Sequence, residues 1–406
     1  MSPKTRNLTW GIAVIVIIFL VGGYLFWKNN IGTINVPNTV EGEGTEDLVE
    51  NLSGFSLPAG FSLNVFATNV AGARDLVMDP KGRLVVSQTE GGKLTLLSDD
   101  DGDGTRDVQK VLKSGLNKPH GLAFDCREGC FLYVAEKDKL IRFPYNAEDM
   151  TLGEEEKLVD IVASPTDRHF TRSLVFLPSP NDDTLLISVG SSCDVCHEED
   201  PEYASVISYN VKTKEKAPYA RGLRNATFLA LNPVNGKVFA TEMGRDTLGD
   251  DVPPDEINII EKGKNYGWPI CYGNNIHDDK FDKNTYIRNP CMEPYETPSF
   301  VDLQAHSAPL GLAFVSEEGW PEEYRDDLLV AYHGSWNRSV LTGYKIARIK
   351  MDAKGAYQGT EDFITGWLTE ADKKTGRPAD ILVLPGGMAY ISDDTAGVIY
   401  KLERSE

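Results

Sequence analysis

Basic residues are the scarce class in this 406-residue chain: 41 Lys and Arg stand against 61 Asp and Glu, a formal net charge of −20 at pH 7. That deficit excludes nucleic acid and anionic membrane surfaces as partners, because a phosphate array would be repelled rather than neutralised. Cysteine and histidine are sparse as well, six of each. An even, small set of cysteines fits disulfides in an oxidising compartment. Cys126/Cys130, Cys193/Cys196 and Cys271/Cys291 are the locally simplest pairs, although sequence alone leaves other connectivities open.

One long uncharged apolar run is present, Leu8 to Trp27, and about 20 residues suffice to cross a bilayer core. Lys4 and Arg6 precede it, Lys28 follows, and the next charges are Glu41, Glu43, Glu46 and Asp47. The positive-inside rule therefore expects residues 1–7 in the cytoplasm, a single-pass anchor at 8–27 and an extracytoplasmic remainder. A cleaved signal peptide would have a shorter apolar run ending in a small-x-small site, whereas Tyr24, Leu25, Phe26 and Trp27 follow Gly23. Residues 28–54 are polar and read as a flexible linker. The folded domain is expected over 55–406, a length at which one large all-β domain is as admissible as two smaller ones.

Within that domain a unit recurs: a short apolar strand, a turn, a second apolar strand. The first strands are DLVM at Asp75, GLAF at Gly121, SLVF at Ser173, TFLAL at Thr227, GLAF at Gly311 and DILVL at Asp380. The second strands begin at Arg83, Phe131, Leu185, Lys237, Leu328 and Met388. Early copies lie about 50 residues apart, a period that points to radial sheet repeats, and six copies predict an all-β, six-bladed β-propeller. SLNVFA from Ser62 is expected to pair with VIYKL from Val398 and close the ring. The segment Arg245 to Ser307 must hold an insertion carrying Cys271 and Cys291.

In such a fold the start of each first strand and the end of each second strand converge on one channel mouth. Arg74, His120, His169–Arg172, Arg224, Asn225, His306 and Arg377 precede first strands, while Glu136, Ser191, Glu242–Arg245, His333–Arg338, Asp393 and Asp394 follow second strands. Four of the six histidines share this phase. Several arginines in an acidic protein suit an anionic ligand, and a histidine beside them suits a base near neutral pH.

Taken with ARDL at Ala73, KPHGLAF at Lys118, HFTRSLVF at His169, RGLRN at Arg221, DEINIIEKGKNYGWP at Asp255, HSAPLGLAF at His306, HGSWNRS at His333 and GRPADILVLP at Gly376, the chain resembles the soluble glucose/sorbosone dehydrogenase family from about Leu57 to Leu402. The resemblance implies a propeller that oxidises an aldose sugar or related alcohol with pyrroloquinoline quinone and calcium, passing electrons to an acceptor the sequence does not identify. It implies His169 as general base, Arg224, Asn225, Arg338 and Arg377 as cofactor contacts, and Gly244 and Arg245 as backbone-carbonyl ligands of calcium. It places His120, Asp167, His333 and Trp336 as substrate contacts. The chain departs from the glucose-oxidising branch at Ala379, where that branch has a second arginine, and at Arg168, where it has an acid. The substrate is therefore left open.

Two motifs invite other readings. Asp99, Asp101, Asp103 and Asp107, with Gly104, resemble the first part of a calcium loop, but Lys110 stands where the terminal bidentate acid belongs. CDVCH, Cys193 to His197, matches the attachment pattern of covalent haem. It sits directly after a strand with no separate helical domain to enclose a porphyrin, so a disulfide or paired thiols are the expectation instead. Two further functions fit six blades: a calcium-dependent lactonase-like hydrolase, and a non-catalytic binding propeller.

Overall fold

The computed structural model describes residues 52–315 and 318–405. The expected anchor at 8–27 and the linker up to residue 51 lie outside them. Among the described residues no helix is long and apolar enough to cross a membrane.

Six antiparallel blade sheets follow one another in the order the repeats predict, five of four strands and one, blade 2, with the short strand Thr151–Leu152 added to its four. Their inner strands are Ala73–Met78, Leu122–Asp125, Leu174–Phe176, Ala226–Leu231, Pro309–Phe314 and Pro378–Leu384. These touch in a closed cycle, blade 1 to blade 2 and onward to blade 6 and back to blade 1. Second strands such as Leu84–Gln88 and Leu328–Tyr332 are buried along their whole length, because each blade is covered on both faces by its neighbours. That is why they read as continuous apolar runs rather than alternating ones.

The ring closes as expected. Phe61–Ala67 pairs antiparallel with Val398–Arg404, setting Leu63 opposite Leu402 and Val65 opposite Tyr400. Blade 6 is thus built from both ends of the domain. The segment after Arg245 contributes Asp255–Ile260 and Val301–Leu303 to blade 4, and between them lies an insertion with a short hairpin, Cys271–Tyr272 and Ile276–His277.

The apolar core is divided into six clusters, each centred between two neighbouring blades. Polar latches stitch the inner strands between those clusters. The Asp75 carboxylate accepts from Leu122 N at 2.7 Å, the Ser173 hydroxyl from Leu229 N at 3.0 Å, and Asp380 from Leu76 N at 2.9 Å. Thr227 donates its hydroxyl to Pro309 O at 2.7 Å. Blades 2 and 5 carry glycine at this position. A Cβ on Gly121 would stand 2.4 Å from Arg172 O and one on Gly311 2.1 Å from Asp380 Oδ1, so only glycine lets the neighbouring strand approach.

Candidate active site

His169 stands in the segment that leads into the inner strand of blade 3, Leu174–Phe176, and Ser191 just past the end of that blade's second strand, Thr184–Val189. Antiparallel pairing brings them together: His169 Nδ1 is 3.0 Å from the Ser191 carbonyl oxygen and 2.9 Å from its hydroxyl. A carbonyl can only accept, so Nδ1 carries the proton and Nε2 keeps its lone pair. Gly190 makes the approach possible, since a Cβ there would fall 2.6 Å from His169 Cβ and 2.7 Å from Asn225 Oδ1. Burial, reinforced by the charge of Arg224, pulls the imidazole down to about 3, so it stays neutral at physiological pH.

Arg224 and Asn225 precede the inner strand of blade 4. Arg224 is held on three sides: Nε donates to Asp194 O at 2.9 Å, Nη2 to Asp194 Oδ1 at 2.7 Å and Nη1 to Met243 O at 3.1 Å. Asn225 Oδ1 is buried with no partner among the described residues. Asp246 joins the far side, accepting from Arg168 Nη2 at 2.5 Å and from Asn337 at 3.0 Å. Asp255, fully buried, accepts from Gly244 N and Ala308 N, and burial lifts it to about 6. Arg168, His169, Arg224, Gly244, Asp255 and Trp336 line one cavity of about 250 Å³ at this mouth. Trp336 is 64% exposed at its edge.

A second polar group gathers on blades 5, 6, 1 and 2. His333 Nε2 donates to Asp394 Oδ1 at 2.8 Å, Arg74 donates to Asp394 Oδ2 at 2.9 Å, and Arg74 Nε reaches His120 Nε2 at 3.4 Å. Burial would raise Asp394, yet the hydrogen bond from His333 and the charge of Arg74 hold it well below the usual carboxylate range. Burial lowers His333 to about 4, and burial with the charge of Arg74 holds His120 well below the usual imidazole value. Arg377 donates to the backbone carbonyls of His333 and Gly334 and lies over the Tyr344 ring.

The remaining expected site residues fall elsewhere. Arg338 turns to Asp250 O and Asp251. Asp167 is enclosed and does not line the cavity; its carboxylate accepts from Tyr203 OH at 2.8 Å and Ser164 N at 2.6 Å. Arg245 pairs with Asp278 at 2.8 Å.

A family model described as TrAA12-like matches residues 55–405. The chain belongs to that family. The pyrroloquinoline quinone-dependent sugar dehydrogenase of Hypocrea jecorina is 23% identical over 85% of this chain and 88% of its own length. The holo form of the pyranose dehydrogenase PQQ domain from Coprinopsis cinerea superposes with a TM-score of 0.71 at 19% identity, covering 86% of this chain and 97% of that one. The calcium structure of the Trichoderma reesei family AA12 enzyme gives 0.72 at 21%, with the same coverages. These likenesses show that this TrAA12-like chain shares the propeller fold of those proteins.

All three simple cysteine pairs are disulfides: Cys126–Cys130, Cys193–Cys196 and Cys271–Cys291. The two sulfurs of CDVCH are joined to each other, and His197 packs against Phe281 with ring centroids 5.1 Å apart. Asp99, Asp101 and Asp107 bring oxygens within 4.8 Å of one another, while Asp103 turns to Thr105. Asp194, Asp246 and Asp255 are the site residues that sequence reasoning missed. Asp194 lay hidden inside a motif read for its sulfurs, whereas Asp255 opens the DEINII strand and was in plain view.

Proposed function

We propose that this protein is an extracytoplasmic quinoprotein dehydrogenase that oxidises an aldose sugar or related alcohol, with His169 as general base, tethered to the membrane by residues 8–27. The observation that carries this reading is the hydrogen bond from His169 Nδ1 to the Ser191 carbonyl. It leaves Nε2 as the acceptor in a cavity that also presents Arg224.

The residues fit the cofactor that the family resemblance implies. Arg377 forms no ion pair among the described residues and its guanidinium donates to backbone carbonyls, so its charge is available to a ligand carboxylate. Asn225 Oδ1 is buried and unpartnered beside Arg224. No donor of the described residues reaches the carbonyl oxygens of Gly244 or Arg245, which leaves two hard oxygens for calcium. Pyrroloquinoline quinone, when bound, supplies the hydride acceptor. Around it Arg224, Asn225 and Arg377 orient the cofactor, the Gly244 and Arg245 carbonyls hold the metal, and His169 Nε2 takes the proton of the reacting hydroxyl. Trp336 offers an exposed indole at the entrance, an apolar face for a sugar ring.

The hydrolase reading needs carboxylates free for a metal. Here Asp194 and Asp246 are bonded to arginines and Asp255 to backbone N–H groups, which favours the quinone. The test adds pyrroloquinoline quinone and calcium to the purified exported domain and screens sugars with an artificial electron acceptor. Quinone-dependent dye reduction supports the reading, and lactone hydrolysis without quinone overturns it.

A further inference from the structure

The loop Ser191–Glu198 is the segment that touches both the proposed base and the proposed cofactor arginine. Ser191 receives Nδ1–H of His169 and passes its own hydroxyl proton to Cys193 O at 2.6 Å. The next residue, Asp194, holds Arg224 through both its backbone and its side-chain oxygen. The same Asp194 Oδ1 accepts from Asp246 N at 3.0 Å, and Arg168 N donates to Ser192 O at 2.9 Å. Residues 190–198 form no strand or helix, so no ladder fixes where the oxygens of Cys193 and Asp194 point. Beside the hydrogen bonds above and Ser191 N–H to Arg224 O at 2.7 Å, the covalent constraint on the loop is the ring closed by Cys193–Cys196, with Glu198 accepting from the backbone and hydroxyl of Ser192.

We propose that Cys193–Cys196 is a thiol-reducible latch on the active site: the closed disulfide positions Ser191 and Asp194, and through them His169 and Arg224, while reduction releases both. The chemistry is thiol–disulfide exchange with a dithiol reductant. Its thiolate attacks one sulfur, the S–S bond breaks to a mixed disulfide, and the reductant's second thiolate displaces the protein sulfur. The reductant leaves as a cyclic disulfide, and the protein gains two electrons and two protons as two thiols. Both cysteines are partly exposed, whereas Cys271 and Cys291 are buried, only 5% and 1% exposed. Cys126–Cys130 spans the turn between the first two strands of blade 2, at the far end of the inner strand from His120, and has no route to the mouth.

The effect on turnover rests on His169 being the base, but the latch itself does not, and the test separates the two. The full chain carrying Cys126→Ser and Cys130→Ser is treated with dithiothreitol, and alkylation with mass spectrometry verifies that Cys193 and Cys196 are reduced. Nitrogen-15 spectra of the cofactor-free protein, assigned by loss of the signal in His169→Gln, should show the Nδ1–H tautomer alone when oxidised and a mixture with the Nε2–H form when reduced. With quinone and calcium added, turnover should fall at least about tenfold on reduction and return on reoxidation, since small misplacements of reacting groups cost up to about 10²-fold. Cys193→Ser/Cys196→Ser should be slow from the outset and indifferent to dithiothreitol. An unchanged tautomer with both thiols demonstrably free overturns the latch, as does a serine double variant as active as wild type. Absence of turnover in the oxidised protein would sink the dehydrogenase reading alone, and the tautomer spectra would still decide the latch.

Discussion

Arg377 donates its Nε–H to the backbone carbonyl of His333 at 2.9 Å, so a cation from blade 6 is braced by the strand end of blade 5. The guanidinium lies over the Tyr344 ring, 5.4 Å from its centroid, with carbonyls as its hydrogen-bond partners. A charge held in place with no carboxylate in ion-pair contact is prepared for an anion.

Replacing it tests that preparation. Arg377→Ala should weaken pyrroloquinoline quinone binding by about 1.5–3 kcal/mol, the usual worth of a hydrogen bond to a charged group. That corresponds to roughly ten- to hundredfold in Kd. A cofactor titration beside a thermal melt separates binding from folding, and unchanged affinity would remove Arg377 from the site.

His169→Gln should fold and retain the quinone, because Gln is close in size and keeps a hydrogen-bonding group. Substrate oxidation should nevertheless fall by about 10²–10⁴-fold, the range of general-base assistance. The loss should appear in kcat as well as kcat/KM, since proton removal matters in the transition state. Full turnover with cofactor bound would move the base elsewhere, with His333 and His120 next in line.

The pH profile follows from the same residue. A base must be deprotonated to act, and burial with the Arg224 charge lowers His169 to about 3. A lowered pKa keeps the imidazole free as pH falls through its ordinary value of about 6.5. Activity of the folded enzyme should therefore persist through that range and be lost only toward about pH 3, read as the acid limb of kcat/KM. An acid limb centred near 6.5 would contradict the geometry.

Gly121→Ala should destabilise the propeller without touching the mouth chemistry. The new Cβ would meet Arg172 O at 2.4 Å and Leu174 N at 2.7 Å, both backbone atoms of the adjoining blade. Overpacking of this kind costs about 1–3 kcal/mol, measurable by denaturant unfolding. A variant as stable as wild type would show that the two inner strands can separate freely.

Protease added to intact spheroplasts should degrade or release the part of the chain after Asn29, because Lys4 and Arg6 precede the apolar run and acids dominate beyond it. A fully protected domain would place the propeller in the cytoplasm and refute the proposed anchor.

The architecture was legible in the sequence because every blade repeats the same local requirement. Each inner pair needs two short apolar strands around a turn, and that unit recurs six times; the structure adds that Asp75 with Ser87, Ser173 with Ser188, Thr227 with Thr241 and Asp380 with Ser392 bond across those pairs. Even the ring closure could be read: SLNVFA from Ser62 was expected to pair with VIYKL from Val398, and Phe61–Ala67 does pair with Val398–Arg404. Strand phase also brought His169 and Arg224 to the same mouth, because period-two alternation and antiparallel pairing fix which ends meet.

Only the tertiary structure decided what these residues do to one another. The tautomer of His169 depends on a carbonyl 22 residues away along the chain. Asp194 acts through its reach to Arg224 and Asp246, and Asp167 is drawn to Tyr203 instead of the cavity. A strand pattern specifies backbone direction and the face of a side chain; hydrogen-bond direction, charge pairing and burial arise between segments that meet only when the ring has closed.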